Sequence, residues 1–216
     1  MTNSHVNYFK SGKTMGIEDR KQREFDRRER DIVEAAFDLF ADKGVENVTI
    51  EMIAEAAEIG KGTIYKHFKS KNEIYASLII GRGKEIHKQV SEIYQSLPVL
   101  EKLRSVLALY VDLFFKKKKA LIVFNKCEAM LTPEGLSENV LKQVEKLHAM
   151  KAAQIEDLFS QGIKEGVFID ADPSVLTMIA SGVFAGTMQQ LFENPQADPA
   201  DVIATLEKVL LKGVLK

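Results

Sequence analysis

Between Lys61 and Lys71 the sequence reads KGTIYKHFKSK, with four lysines and no acid. The twenty-eight residues before it, Asp31 to Glu58, hold eight acids against one base, Lys43. Ammonium groups pair with phosphate oxygens, while a glycine and a small hydroxyl at the start of a helix can approach base edges closely. Gly62 and Thr63 are therefore the residues for bases. Tyr65, His67 and Lys71 are those for phosphates, and Lys66 suits either. Ile64 and Phe68 are apolar and belong to the core beneath. The competing description is an ordinary solvated, lysine-rich helix.

Such groups recognise nothing unless helices hold them in place, and the flanking sequence supplies these. Ile32, Ala35, Ala36, Leu39 and Phe40 fall at helical spacing with charges opposite, and Lys43-Gly44 closes that helix. Thr49 caps a second, short helix with Ile50, Ile53, Ala54 and Ala57 inward. Glu58-Ile59-Gly60 makes a turn into a third helix, Lys61 to about Phe68. Two short helices joined this way form a helix-turn-helix, whose second member enters the major groove. Ser70-Lys71-Asn72-Glu73 opens a fourth helix with a capping box, running toward Pro98 and carrying Gly81 and Gly83 at its middle as a soft point. Beyond Pro98 the pattern is helical throughout. One stripe runs Leu103 to Phe114, and Lys116 to Lys119 separates it from a short apolar helix, Ala120 to Leu131. Thr132-Pro133-Glu134-Gly135 breaks the chain, and a long helix carries Leu141 to Phe159. Asp172-Pro173 and Asp198-Pro199 then open the last two. No stretch alternates at period two. The fold class is all-α, with about nine helices: a flexible basic arm over 1–22, a helix-turn-helix domain over 23–70, and a helical C-terminal domain over 71–216.

The bulk numbers narrow the partners. With a net charge of −1 over 216 residues, any nucleic-acid footprint is local. Residues 1 to 30 carry eight bases and five acids, so the arm is either a groove-tracking tail or a solubilising one. A lone Cys127 rules out an internal disulfide and fits a reducing, cytoplasmic compartment. The first thirty residues lack the apolar core of a signal peptide, and no apolar run approaches the roughly 20 residues of a membrane span. The four histidines form no metal-ligand cluster, and no nucleophile motif appears. Gly81-Arg82-Gly83-Lys84 lacks the spacing of a phosphate-binding loop. No enzyme, cofactor or metal site is read here.

Two further groups remain. Phe114, Phe124, Cys127 and Met130, with Tyr110 on the preceding stripe and His148 on the long helix, are the residues to line an apolar cavity for a lipophilic molecule; core packing is the alternative for each. Gly182 and Gly186, beside Ile179 and Val183, give the penultimate helix a small-residue surface, and the last helix adds Leu206 and Leu210.

The run from Thr49 to Ala57, then Gly60 to Phe68 with its Gly-Thr-Ile-Tyr core, then Ser70 to Glu73, closely resembles the signature of the tetracycline-repressor (TetR) family over about Ile32 to Tyr75. The resemblance implies a homodimeric transcription factor, usually a repressor, released from a palindromic DNA operator by a small effector in its C-terminal domain. By match to the motif, Thr49, Lys61, Gly62, Thr63, Tyr65, Lys66, His67 and Lys71 are the DNA-facing set. The two C-terminal helices would build the dimer interface. The chain departs from the pattern in the turn: Glu58 stands where glycine is common, so a positive φ there would be strained, and Gly60 stands where serine usually caps. Two other readings are a TetR-like protein acting through a protein partner without an effector, and a helical-bundle enzyme or carrier with an incidental basic helix.

Overall fold

The computed structural model describes residues 16–215 apart from Ser96 and Pro195. Eight α-helices follow in order: α1 (Ile17–Lys43), α2 (Ile50–Ala56), α3 (Lys61–His67), α4 (Lys71–Tyr94), α5 (Val99–Met130), α6 (Glu138–Lys164), α7 (Pro173–Glu193) and α8 (Pro199–Val214), with a 3-10 turn at Val45–Asn47 after α1. Among the described residues there is no strand, only an isolated antiparallel bridge between Phe168 and Leu215. The all-α expectation holds. The count falls one short of nine because the lysine run kinks a helix instead of ending it. Lys117 (φ −133°, ψ 36°) interrupts α5 locally, and helix resumes on both sides.

The ends of the helices obey local chemistry. The Ser174 and Ala200 amides donate to Asp172 and Asp198, each at 2.8 Å, so aspartate caps α7 and α8 while proline fills the first helical position. The arm expected over 1–22 overlaps the start of α1. Residues 1–15 lie outside the described residues, but α1 already begins at Ile17. No proline or glycine interrupts Ile17–Arg30, and side chains link successive turns, as in Gln22 Nε2 to Asp26 Oδ1 at 2.8 Å. The helix extends without an apolar stripe of its own.

Nor does the boundary at residue 70 mark the end of the first core. Ile32, Ala36, Phe40, Ile53, Ile64 and Phe68 pack with Ile74, Tyr75 and Ile79 of α4, and also with Val123 and Cys127 of α5 and Leu147 of α6. Headpiece and C-terminal domain therefore share apolar contacts around the start of α4. A second cluster joins α5, α6, α7 and α8 around Leu107, Leu158, Phe159, Phe168 and Leu206.

Gly83 is not the soft point its sequence context suggests. It is buried, and a Cβ built there would lie 2.4 Å from Leu147 Cδ2, so its missing side chain lets α6 approach α4. Gly81 faces open space. Gly83→Val is expected to cost about 1–3 kcal/mol of stability through overpacking, with much of it recovered in Gly83→Val/Leu147→Ala. Gly81→Ala is expected to stabilise by roughly 0.5–1 kcal/mol. Urea denaturation followed by circular dichroism checks all three.

Candidate nucleic-acid interface and the cavity behind it

The second helix of the pair is set by caps at both of its neighbours. The Met52 amide donates to Thr49 Oγ1 at 3.3 Å at the start of α2. Between the helices Glu58 adopts φ 54°, the positive value its place in the turn foreshadows, and among the described residues no other non-glycine does so. The Thr63 amide then donates to the Gly60 carbonyl at 2.7 Å as α3 begins. Ile64 is fully buried beneath, so the opposite face of α3 turns outward.

On that helix Lys61, Gly62, Tyr65 and Lys66 are exposed and Thr63 is half-buried; Thr49, the cap of α2, is exposed as well. A Cβ on Gly62 would meet nothing, so the backbone there is open to close approach by a ligand. Lys61 forms an ion pair with Glu51 of α2, and hydrogen bonding to the ammonium holds the Glu51 carboxyl down at about 2. Its charge is thus partly spent within the headpiece, while Lys66 has no such partner among the described residues.

Two members of the expected set point elsewhere. His67 is packed against α1: its ring lies 4.0 Å from that of Phe25, its Nδ1 is 3.9 Å from Glu29, and its side chain is 7 % exposed. Burial, with Arg28 and Lys66 nearby, lowers its pKa, which favours the neutral ring. Lys71 also turns inward. Its ammonium donates to the Val45 carbonyl at 2.8 Å and sits over the rings of Phe40 and Tyr75, and burial lowers its pKa. The reason is local. The first turn of α4 lies against the 3-10 turn, whose Val45 carbonyl offers a nearer acceptor than any outside group.

Behind α3, the first turn of α4 is pinned to the α5–α6 loop. Ser70 Oγ accepts from the Glu73 amide at 3.3 Å, as a capping residue should, and donates to the Gly135 carbonyl at 2.9 Å. Asn72 donates through Nδ2 to the Thr132 and Glu134 carbonyls, the latter at 2.9 Å. The Glu73 carboxylate, 4 % exposed, accepts from the Lys69 amide at 2.7 Å and the Ser137 amide at 2.8 Å. Burial pushes that carboxyl up, but the hydrogen bonds from Ser137 and Lys69 outweigh it and hold it below its ordinary value.

Between α4, α5, α6 and α7 lies a partly open cavity of about 410 Å³. Val90, Leu107, Phe124, Ile155, Phe159 and Phe184 form much of its wall, and Leu210 of α8 closes one side. Of the residues picked to line such a cavity, Tyr110, Phe124 and His148 do so. Phe114 instead stacks on Phe192 at 5.6 Å, Cys127 is fully buried in the headpiece core, and Met130 is exposed. At helical spacing, aromatic and sulfur side chains look alike in sequence whichever neighbour they face. Tyr94, Asn125, Lys151 and Gln154 were missed; they are polar groups on helices whose apolar stripes draw the eye.

The picked interface residues divide in the same way. Ile179, Gly182, Val183 and Gly186 of α7 are exposed, together with Met178 at 68 %, and the two glycines border an open groove. Leu206 is buried inside the subunit and Leu210 faces the cavity; Val209 of α8 is exposed in their place. Helix α7 also corrects the statement that no segment is long and apolar enough to span a membrane. Its 21 residues have a mean hydropathy of 1.3 in their most apolar window, only 22 % of which is buried.

Comparison with known proteins matches residues 32–78 to the bacterial regulatory proteins of the tetR family and residues 96–214 to a tetracyclin repressor-like C-terminal domain. The chain belongs to the TetR family. It is 27 % identical over 191 residues to the HTH-type transcriptional regulator YhgD of Bacillus subtilis (strain 168), covering 87 % of this chain and 96 % of that protein. A probable acrEF/envCD operon repressor of Escherichia coli (strain K12) is 25 % identical over 171 residues, covering 76 % of each. The fold is shared with the regulator FadR of Bacillus subtilis in complex with stearoyl-CoA, at TM-score 0.69 and 20 % identity over 85 % of this chain and 98 % of that one. The helix-turn-helix of a TetR-family regulator is thus the DNA-binding element, and the protein is a regulator and not an enzyme.

In this TetR-family chain the buried Glu73 carboxylate should register in acid unfolding. Its folded pKa lies below the ordinary 4.5, so its stabilisation is complete above that value and is lost as pH falls through the lowered folded pKa. Glu73→Ala is expected to cost about 1–3 kcal/mol at neutral pH by leaving two amides without their acceptor. The difference from the parent should shrink at the acid end of a denaturation series, and a difference independent of pH would contradict the assignment.

Proposed function

We propose that the protein is a dimeric repressor that holds a palindromic operator through two copies of α3 and is released when a small lipophilic molecule fills the cavity. The observation that carries this reading is the continuity from cavity to headpiece. Phe124 and Asn125 of α5 and His148 and Lys151 of α6 border the cavity, and the loop joining those helices carries Thr132 to Ser137, which grip Asn72 and Glu73. Pushing α5 and α6 apart would pull on the start of α4 and so on α3. Successive major-groove faces lie about 34 Å apart, and two rigid heads tolerate little change in that spacing. The coupling therefore runs through the loop contact, with α4 straight past Gly83, and not through a bend at that glycine. It is reciprocal: operator lowers effector affinity by the factor by which effector lowers operator affinity.

A second copy would cover the apolar face of α7. Met178, Ile179 and Val183 stand exposed along it beside Gly182 and Gly186, which let another helix come close. For DNA contact we assign Thr49, Lys61, Gly62, Thr63, Tyr65 and Lys66, with Lys61 leaving Glu51 to reach a phosphate. Such a complex acts where the DNA is, in the cytoplasm. The open cavity favours an effector over control by a protein partner alone.

The test is a gel shift with the duplex upstream of the protein's own coding region, repeated across a salt series. Specific retardation is expected; its absence on that and other candidate operators would return the protein to the class of helical bundles with an incidental basic helix. Lys66→Ala is expected to weaken binding to all sequences and reduce the salt slope of the dimer's complex by about two, one phosphate contact being lost in each subunit. Lys71→Met should leave the slope unchanged while lowering thermal stability, because its ammonium faces Val45.

A further inference from the structure

The polar groups of the cavity are unevenly spent. Asn125 Nδ2 donates to the Leu121 carbonyl at 2.9 Å, and Gln154 Nε2 donates to Ser91 Oγ at 3.0 Å. Lys151 and His148 both meet Glu128, each at 3.2 Å, and Lys151 also lies over the Phe124 ring. That leaves Ser181, His87, whose buried Nδ1 has no partner among the described residues, and the phenols of Tyr94 and Tyr110. Both phenols line the cavity and are largely buried, and among the described residues neither hydroxyl has a hydrogen-bond partner. Phe184 fixes Tyr110 by an edge contact at 4.5 Å. Burial raises the pKa of both, so they stay protonated and serve as donors.

We propose that the cavity selects a neutral lipophile carrying a hydrogen-bond acceptor, a ketone, ester or quinone carbonyl, which the Tyr94 and Tyr110 hydroxyls bind. This rests on the reading of the cavity as the effector site. No carboxylate lines the wall, and Lys151, the one lysine that does, is already balanced by Glu128. An anion entering here would shed its water without meeting an unspent lysine or arginine in the wall, and a cation would find no carboxylate there, nearby Glu128 being engaged twice. Lys102 lies over the Tyr94 ring at 5.7 Å but is outside the lining and donates to Gln161. A plain hydrocarbon would dry the cavity and leave two phenols without acceptors, which is costly. A carbonyl answers both constraints. The volume of about 410 Å³ lies within the range of roughly 300–1,000 Å³ usual for drug-sized ligands.

The test uses three naphthalenes of nearly one shape and the full-length protein: 2-acetylnaphthalene, 2-ethylnaphthalene and 2-naphthoate, titrated calorimetrically at neutral pH. The ketone is expected to bind about tenfold more tightly than the hydrocarbon, with the carboxylate weakest. In the double variant Tyr94→Phe/Tyr110→Phe the ketone's advantage should fall to about one while the hydrocarbon binds at least as tightly as before, which also shows that the variant is folded. If the carboxylate binds most tightly, or if the ketone's advantage is absent or survives the double variant, the ligand class is overturned and the cavity reading stands. If none of the three binds, this inference and the effector reading beneath it both fall.

Discussion

A buried carboxylate ties the molecule together. Glu73 sits in the first turn of α4 with its charge almost wholly out of water, a position tolerable only because amides from two different directions converge on it. One amide belongs to Lys69, at the end of the α3–α4 turn, and the other to Ser137, at the start of α6. A single side chain thereby fixes the distance between the headpiece turn and the C-terminal helices. Ser70 and Asn72 add bonds to Gly135, Thr132 and Glu134, and the apolar contacts of Ile74 and Tyr75 with Cys127 exclude water from the same region. Polar contacts give this joint its geometry, and the shared core gives it its cohesion.

Two irregularities behind the joint give the C-terminal domain its hollow. Gly83 lets α6 lie against α4 at Leu147, closing the bundle at the headpiece end. The kink at Lys117 interrupts α5 between Leu107 and Tyr110 on one side and Leu121 and Phe124 on the other, and all four line one cavity. A straight helix of 32 residues would present one face in one direction along its length. The kink lies within four consecutive exposed lysines, whose charges hold that part of the helix in water.

Much of this was legible in the sequence because it rests on local rules. The caps at Thr49, Ser70, Asp172 and Asp198 and the helical stripes each follow from neighbouring residues and appear where the spacing put them, while the positive φ at Glu58 follows from the family's pattern in the turn. Direction was harder to read. Lysine and histidine beside a reading helix suggest phosphate contacts, yet Lys71 and His67 both face inward, because their partners, Val45 and Phe25, lie 26 and 42 residues away in the chain. The capping box announced Glu73 as a local element, but its second partner at Ser137 needed the loop's placement in space. The N-terminal half of α1 carried no apolar period at all and formed helix through turn-to-turn side-chain contacts.

Helix α7 shows why a cavity wall and an outward apolar face share one element. A helix that packs on one side carries polar residues on the other, whereas α7 is apolar nearly all round. Its Phe184, Ala185 and Met188 border the cavity, and its Met178, Ile179 and Val183 point away from it. Composition that would suit a bilayer is met here by two protein surfaces, one inside the subunit and, on the proposed reading, one belonging to a second copy. A ligand that presses on Phe184 then acts on the same rigid rod that sets how the two subunits meet. On the same proposed reading, the dimer seam and the loop contact at Glu73 would give the cavity two routes to the spacing of the paired α3 helices.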